Sequence, residues 1–391
     1  MKRIYIISYY YPPLGRASGV LLSHFAKCLA DLGWEAHVLS TGSFQSALFG
    51  GQQDASLLSV APESVRVVRA QSKVGSRLGP FLAASRIWDS QFRGWRQAAM
   101  RSLEGLYRGP GLVYALLPPA DNAIVAHAFC EKHGLPLVVD FKDDYFRLER
   151  KIVARADVLL ASTGISRDHI LKRYEAPADK CAVFYNGICG SAEPPREAKA
   201  DIARRVHFAF AGTFCATTRP ERLIRAASIL ARQKPALAER VRISLIGPRS
   251  LYYYLRVRPL LSKAVQCRPF IPSYSALLKH LAAEVDVGIC SFNENWTYGL
   301  SSKIFTYMAA GLPILAYGPA GGALQQFVEG NRIGLFSEIG DAEALIRNIE
   351  ILATDAGIRE DCAAQVRRIA SQYTMEAQTR NIEPLFQALV S

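Results

Sequence analysis

Short apolar runs alternate with segments of helical periodicity along most of the chain. The run from Ile4 to Ile7 is typical of a strand buried on both faces of a parallel sheet. Apolar residues then recur at helical spacing from Val20 to Leu32, Gly33 ends the predicted helix, and a second strand is predicted from Glu35 to Ser40. This order of strand, loop, helix and strand is the βαβ unit of a doubly wound sheet.

The alternation continues through two regions of similar size that a polar segment separates. Residues 190–205 contain two adjacent prolines followed by charged residues, which is the composition of a linker. Strands are predicted before it at 65–68, 112–117, 137–141, 158–162 and 182–185, and after it at 206–210, 241–246, 287–291 and 314–317, with a helix at 221–232. We therefore predict an N-terminal domain of residues 1–195, a second domain of residues 196–370, and a C-terminal helix within 371–391 that packs back on the first domain.

The pattern predicts the α/β class, with two Rossmann-like doubly wound domains that face a central cleft. A chain of 391 residues of which 50% are hydrophobic can give each domain its own core, which excludes a mainly disordered protein. Ligands of such folds bind beyond the carboxyl ends of the parallel strands. Polar and glycine residues that follow the predicted strands are therefore the candidates for chemistry.

Charge and cysteine content narrow the possible partners and the compartment. The formal net charge is +13, which favours an anionic partner, and no apolar run approaches the roughly 18 residues needed to span a bilayer. The opening segment has no small-residue cleavage site, so we predict a first strand and a cytoplasmic chain, not a signal peptide. Eight scattered cysteines without a CxxC pair predict reduced thiols, not disulfides or a zinc site.

Two predicted strand-to-helix loops are candidate anion sites. The loop from Pro12 to Gly19 places backbone N–H groups at a helix N-terminus, although a plain turn explains it equally well. The segment from Phe210 to Phe214 closes a strand, and Gly212 there would allow a ligand to approach the backbone closely. Arg219 follows as a partner for a phosphate group, or as a residue that simply faces solvent.

The most specific segment is residues 299–315. Glycine and serines open a predicted helix, Lys303 lies in its first turn, and Ala-Gly-Leu-Pro ends it before an apolar strand. A lysine in the first turn opposes the helix dipole unless it binds an anion. The segment therefore predicts a cradle for a diphosphate.

Carboxylates follow the predicted strand at 137–141. Asp140, Asp143 and Asp144 could handle an acceptor or take part in acid–base chemistry. A divalent metal is a less favoured hypothesis. The structural alternative is a carboxylate that caps a helix.

Together, these segments resemble the retaining GT-B glycosyltransferases of the glycogen-synthase-like group, which build bacterial polysaccharides and glycolipids. The resemblance covers nearly the whole chain. It lies in residues 6–13 with the glycine-bearing loop that follows, and in residues 140–143, 185–188, 211–214 and 302–313.

The resemblance implies a hexosyltransferase-like enzyme that binds a nucleotide sugar in its C-terminal half. It implies a lipid-linked glycan acceptor in the N-terminal half, no obligatory metal, and no cofactor beyond the nucleotide-sugar co-substrate. The donor-binding residues that it implies are Gly15, Gly212, Thr213, Arg219, Ser302, Lys303 and Thr306. Fixed cations and helix dipoles can stabilise a departing nucleoside diphosphate.

One departure concerns the carboxylates of the family. Members typically carry two glutamates eight positions apart, and here those positions are Tyr298 and Thr306. We predict catalytic roles for Asp143 and Glu294 instead, although the spacing of Glu294 differs. Two alternatives remain: a transferase-like binding protein without activity, and a GT-B epimerase of sugar nucleotides.

A basic segment suggests where the protein meets a membrane. Between Ser64 and Arg108, nine lysines or arginines face only Asp89 and Glu104, and aromatic residues lie among them. This pattern predicts peripheral docking on the anionic inner face of the cell membrane. The residues proposed for acceptor or membrane contact are Arg86, Trp88, Arg93, Trp95 and Arg96. A solvated arginine-rich surface is the alternative, and no motif for nucleic-acid binding accompanies the segment.

Overall fold

The computed structural model describes residues 2–14, 17–42, 53–71, 89–90, 92–143, 148–190 and 205–391. The chain forms two compact units, one of Met1–Asn186 with Met375–Ser391 and the other of Gly187–Thr374. Almost all of the predicted linker at 190–205 lies outside the described residues.

Each unit is built on a parallel sheet. In the described part of the first unit, the sheet has seven strands in the order β3-β2-β1-β4-β5-β6-β7: β1 (Arg3–Ile7), β2 (Glu35–Thr41), β3 (Arg66–Ala70), β4 (Leu112–Leu117), β5 (Leu137–Phe141), β6 (Val158–Ala161) and β7 (Cys181–Val183). Among the described residues of the second unit, the sheet has six strands in the order β10-β9-β8-β11-β12-β13. They are β8 (Val206–Ala211), β9 (Val241–Ile246), β10 (Val265–Arg268), β11 (Val287–Ser291), β12 (Ile314–Gly318) and β13 (Gly334–Glu338).

The helices follow the strands in the alternation that the sequence predicts. They are α1 (Ala17–Asp31), α2 (Arg93–Leu106), α3 (Ala120–His133), α4 (Arg150–Arg155), α5 (Gly164–Tyr174), α6 (Pro220–Gln233), α7 (Pro235–Glu239), α8 (Tyr274–Glu284), α9 (Ser302–Ala309), α10 (Ala323–Gly330), α11 (Ala342–Thr354), α12 (Ala356–Ala370) and α13 (Met375–Val390). A short π-helix spans Tyr253–Val257, and a 3-10 turn at Arg258–Leu260 follows it.

Both sheets have the doubly wound topology. The strand order reverses between β1 and β4 in the first sheet and between β8 and β11 in the second. At such a switch point the loops after the two central strands diverge and leave room for a ligand. The α/β prediction of two Rossmann-like units is thereby confirmed.

The central strands are the ones that the sequence predicts best. Strands β4, β5, β9 and β11 have the predicted limits, and β4, β5 and β11 are buried at every position. Strands β10 and β13 are absent from the prediction. Both lie at a sheet edge and are partly exposed, so their sequences lack a continuous apolar run.

Helix α13 packs on the first unit, against α1. Phe386 is fully buried and its ring lies 6.1 Å from that of Trp34 and 6.4 Å from that of Phe25. Glu383 Oε1 lies 2.9 Å from Lys2 Nζ and accepts a hydrogen bond from Trp34 Nε1 at 3.1 Å. An apolar contact and a charged contact therefore hold the helix in place.

The basic segment of the first unit is only partly available to a membrane. Trp95 is 2% exposed, and its ring lies 5.4 Å from that of Tyr9 in the core. The prediction that Trp95 contacts a membrane is therefore wrong. Arginines and aromatic residues alternate here because α2 turns Trp95 inward, which is the ordinary pattern of an amphipathic helix.

Two of the three arginines of α2 are paired with carboxylates. Arg96 Nε lies 2.6 Å from Asp121 Oδ1 and its Nη1 lies 2.8 Å from Asp89 Oδ2, while Arg93 Nη1 lies 3.8 Å from Asp89 Oδ1. These pairs offset the positive charge of Arg93 and Arg96. Arg86 and Trp88 lie outside the described residues.

Asp140 has a structural environment. It is fully buried in β5, its Oδ2 lies 3.2 Å from Lys142 Nζ, and it accepts a hydrogen bond from the Tyr114 hydroxyl. Lys142 Nζ also donates to Phe184 O at 2.5 Å. Burial raises the pKa of Asp140, and the lysine opposes that shift. The carboxylate therefore ties β5 to its neighbours in the first sheet.

His207 in β8 gives the second unit a dependence on pH. The ring is buried, with Nδ1 2.6 Å from Glu284 O and Nε2 2.8 Å from Ser244 Oγ, so a neutral ring that donates from Nδ1 satisfies both contacts. Burial lowers its pKa from the ordinary value of 6.5. At acidic pH the unfolded state therefore binds more protons than the folded state does. The stability that neutral His207 contributes is fully present above pH 6.5 and is lost as the pH falls below that value.

We expect the free energy of unfolding, measured by urea titration, to fall between about pH 7.5 and about pH 5.5, by up to about 1.4 kcal/mol per pH unit for this one proton. His207→Asn keeps a donor near the Nδ1 position and cannot be protonated. The variant should be less stable at neutral pH and show a smaller fall with acid. Parallel pH curves for the two proteins would contradict this assignment.

Candidate functional site

The candidate site lies at the switch point of the second sheet. The loop of residues 212–219 follows β8, and the loop of residues 292–301 follows β11 and leads into α9. The Asn293 N–H donates to Thr217 O at 2.6 Å, which joins the two loops. Residues far apart in the sequence are thus brought to one edge of the sheet.

Gly212 and Lys303 are in direct contact. Gly212 has φ +147°, and an ideal Cβ there would lie 2.2 Å from Lys303 Cε and 3.1 Å from Nζ. Lys303 Nζ lies 5.4 Å from the centroid of the Phe210 ring. Within the described part of the chain, no carboxylate forms an ion pair with Lys303. The arrangement holds a cation against the half-buried backbone of Gly212 at the end of β8.

The same lysine lies in the first turn of α9. Ser301 caps this helix, and its Oγ accepts a hydrogen bond from the Lys303 N–H at 3.3 Å. Thr306 Oγ1 donates to Ser302 O at 3.3 Å, one turn back. The positive end of the helix dipole and the lysine ammonium therefore act at the same place, which favours an anion there.

Arg219 supplies a second cation from the β8 loop. Its backbone is in the left-handed region, with φ 42°, just before α6. Its Nη2 lies 3.0 Å from Glu294 Oε1 on the β11 loop, and its Nη1 lies 3.9 Å from Glu221 Oε1. Its Nε is buried without a hydrogen-bond partner among the described residues. The guanidinium therefore keeps a donor available for a further acceptor.

Glu221 and Tyr252 hold Arg219 from the other side. Glu221 is 5% exposed, and both of its carboxylate oxygens accept from the Tyr252 hydroxyl at 3.0 Å. Burial and the nearby Glu221 charge raise the pKa of Tyr252 to about 12, so the phenol remains a donor. Sequence reasoning missed both residues. Glu221 could have been found from the sequence, because an acidic residue in the first turn of a helix is stabilised by the helix dipole.

Tyr307 is the other residue that the sequence analysis overlooked. Its hydroxyl accepts a hydrogen bond from the Ala211 N–H at 2.9 Å, which links α9 to the end of β8. An ideal Cβ at Gly288 would lie 2.4 Å from Tyr307 Cγ, so the ring lies directly on the backbone of β11. A glycine inside an otherwise apolar strand is the signal of such a close approach.

The structure brings together part of the predicted site. Gly212 meets Lys303, as their place in one predicted donor-binding set requires. Arg219 of that set meets Glu294, which the sequence analysis predicted as a catalytic residue. The Thr213 carbonyl accepts from Thr218 Oγ1 at 3.2 Å and helps to fold the β8 loop.

The other predicted residues are placed as follows. Asp143 belongs to the first unit and is half-buried two residues after β5. Gly15 and Asp144 lie outside the described residues. Tyr298, which replaces a glutamate of the family, lies half-buried on the β11 loop.

Two family models match consecutive parts of the chain. Residues 17–187 match the glycosyl transferase 4-like domain, and residues 205–355 match the glycosyl transferases group 1. Each unit of the chain therefore belongs to a glycosyl transferase family. The second match contains the β8 loop, the β11 loop and α9, so the candidate site of this glycosyltransferase lies wholly within it.

A curated relative of this glycosyltransferase is the D-inositol 3-phosphate glycosyltransferase of Streptomyces avermitilis. The two sequences are 27% identical over 322 residues, which is 78% of this chain and 63% of the relative. The chain therefore spans less than two thirds of the length of that protein.

Solved structures share the fold of this chain. HepE of Anabaena, in complex with UDP, has a TM-score of 0.65 and 18% identity and covers 99% of this chain and 100% of its own. The E. coli trehalose-6-phosphate structure with bound UDP-2-fluoro glucose has a TM-score of 0.71 and 12% identity. The match covers 100% of this chain and 99% of the E. coli chain. These likenesses identify the fold as GT-B. Among the described residues, no helix has the length and apolar character needed to cross a bilayer.

Proposed function

We propose that this glycosyltransferase transfers a sugar from a nucleoside-diphosphate sugar to a growing, lipid-linked glycan in surface polysaccharide biosynthesis. The observation that carries the proposal is the contact of Lys303 with the Gly212 backbone at the N-terminus of α9. Arg219, on the neighbouring loop, adds a second cation. Two fixed cations and a helix N-terminus suit the two negative phosphates of such a donor.

The same groups fit the chemistry of the leaving group. As the bond from the anomeric carbon to the diphosphate oxygen breaks, its electron pair stays with that oxygen, and an acceptor hydroxyl oxygen forms the new bond. Preorganised cations at the diphosphate stabilise the charge that develops there. We therefore propose transfer without an obligatory divalent metal and, by resemblance to the family, with retention at the anomeric carbon.

The names of similar proteins support the donor class. HepE is described with UDP and the E. coli structure with UDP-2-fluoro glucose, and the Streptomyces relative is named a glycosyltransferase. The lipid-linked acceptor and the location on the inner face of the membrane rest on the resemblance of the sequence segments and on the positive charge.

The proposed catalytic carboxylates have different roles. Glu294 holds Arg219 in the structure, and we propose that the donor diphosphate takes over this contact. Asp143 lies after β5, at the carboxyl end of a central strand of the first sheet. We propose that it handles the proton of the acceptor hydroxyl.

A transfer assay with a panel of UDP-, GDP- and dTDP-sugars, preceded by thermal-shift screening, tests the function. At 100 times its dissociation constant, the true donor should stabilise the protein by about 2.7 kcal/mol. That donor should also release its nucleoside diphosphate when an acceptor is added. Asp143→Asn should lower kcat by about a hundredfold and leave the thermal shift unchanged.

The replacement of both family glutamates, at Tyr298 and Thr306, favours a second candidate: a binding protein without transferase activity. It predicts a thermal shift with a sugar nucleotide but no transfer to any acceptor. No shift with any member of the panel would contradict both candidates.

A further inference from the structure

An exposed apolar cluster lies on the second unit, after β9. Of the four large hydrophobic residues that are exposed in the described part of the chain, three fall within five positions: Leu251 (71%), Tyr254 (46%) and Leu255 (65%). They are spaced i, i+3 and i+4, so they share one side of a helical turn. The fourth is Leu58 of the first unit, at 53%.

The fold fixes this exposure. Tyr253 and Val257, on the opposite side of the turn, are 6% and 0% exposed and belong to the core of the second unit. Tyr252 is hydrogen-bonded to Glu221 at the start of α6. The leucines therefore cannot turn inward without the removal of buried neighbours.

Positive charge surrounds the exposed leucines. Between Glu239 and Glu284 the sequence has eight lysines or arginines and no acidic residue. Arg249, Arg256 and Arg258 are exposed, and no carboxylate of the described residues pairs with them. Arg258 Cζ lies 5.9 Å from the centroid of the Tyr254 ring, so charge and apolar surface are adjacent. We call the set of Arg249, Leu251, Tyr254, Leu255, Arg256 and Arg258 the arginine–leucine surface.

We propose that the arginine–leucine surface docks this glycosyltransferase on an anionic phospholipid bilayer. Leucines that point into solvent can enter the boundary between headgroups and acyl chains, where arginines meet the lipid phosphates. The two most exposed hydrophobic residues, Leu251 and Leu255, have no π-face on which a nucleic-acid base could stack, which favours lipid over nucleic acid. The absence of acidic residues over this stretch complements a negative membrane.

This inference rests on the proposed function in one respect, since a lipid-linked acceptor would be presented at a membrane. It places the docking surface on the second unit, whereas the sequence pattern pointed to residues 64–108 of the first. The two surfaces can be tested separately.

Co-sedimentation of the whole protein with vesicles tests the surface. We expect binding to vesicles of equal parts phosphatidylglycerol and phosphatidylcholine, and no binding to phosphatidylcholine alone. Each arginine contributes roughly fivefold to binding. Arg256→Glu/Arg258→Glu should therefore weaken binding at least about twenty-fivefold, and Leu251→Ser/Leu255→Ser at least about tenfold. In Tyr254→Trp, the tryptophan emission should shift to shorter wavelength with the mixed vesicles.

Matched controls separate the surface from general effects. Leu58→Ser removes the other exposed leucine of the described residues, which is 53% exposed. Lys172→Glu/Arg380→Glu makes the same change in net charge at exposed positions elsewhere. Both controls should bind vesicles within twofold of the unmodified protein.

Three outcomes would overturn the proposal: unchanged binding in the arginine variant, unchanged binding in the leucine variant, or no emission shift. A loss in the arginine variant alone would indicate electrostatic adsorption without insertion of the leucines, and would overturn the proposal. Intact transfer to a water-soluble acceptor in a protein that does not bind vesicles would leave the proposed function standing.

Discussion

Lys303→Ala is expected to lower kcat/KM for the sugar-nucleotide donor by about a hundredfold or more. The variant removes the ammonium group that lies against Gly212 in the first turn of α9. Loss of one preorganised group at a site of developing charge typically costs about 10²–10³ in rate. Binding of UDP should weaken by roughly ten- to a hundredfold, since a hydrogen bond to a charged group is lost. Isothermal titration with UDP and initial-rate kinetics measure the two effects.

Lys279→Ala is the matched control, because Lys279 is an exposed lysine of α8 in the same unit. It should retain donor binding and turnover within twofold. Lys303→Arg should recover part of the UDP affinity, because it restores the charge. Unchanged UDP affinity in Lys303→Ala would remove the main support for a diphosphate site at this position.

Gly212→Ala is expected to reduce donor binding as strongly as Lys303→Ala and to lower Tm as well. The backbone has φ +147°, which side chains rarely tolerate, and strain of this kind costs about 1–3 kcal/mol. The new methyl group would also occupy the place of Lys303 Cε, at 2.2 Å. The lysine side chain is flexible, so the fold should survive while the ammonium group is displaced. Thermal melting and UDP titration separate the two consequences.

Gly311→Ala controls for strain alone. Gly311 has φ +69°, and an ideal Cβ there meets no atom within 4 Å. The Gly311→Ala variant should have a lower Tm than the unmodified protein and nearly the same affinity for UDP. In the double variant Gly212→Ala/Lys303→Ala, the affinity losses should not add, because both changes remove the same ammonium contact. Additive losses would show that Gly212 acts through the backbone only.

The sequence could predict what depends on local pattern. Continuous apolar runs gave the limits of central strands such as β5 and β11, because both faces of these strands are buried. Lys303 could be found because a lysine in a first turn is locally unfavourable without an anion. The edge strands and the outward direction of Leu251 could not be found, since they depend on which neighbours cover each face.

Contacts between residues far apart in the chain could not be predicted from the sequence either. Arg219 and Glu294 are 75 residues apart, and their pairing depends on the left-handed backbone at Arg219 and on the order of β8 and β11. For Trp95 the sequence predicted a contact that the structure does not have, because the side chain is buried in the core. Arginines among aromatic residues suit both a membrane surface and a helix with a buried side, and only tertiary packing decides between them.

Because α13 belongs to the first unit, that unit cannot be completed until the second unit has been synthesised. The second unit is continuous in the chain, so its core can close once residue 374 has left the ribosome. The first unit is split, and the contact between Lys2 and Glu383 joins residues 381 positions apart. Trp34 and Phe25 therefore lack their α13 partner throughout the translation of the entire second unit. Contacts between such distant segments close slowly, so the apolar surface of Trp34 and Phe25 is the last part of the first unit to be covered.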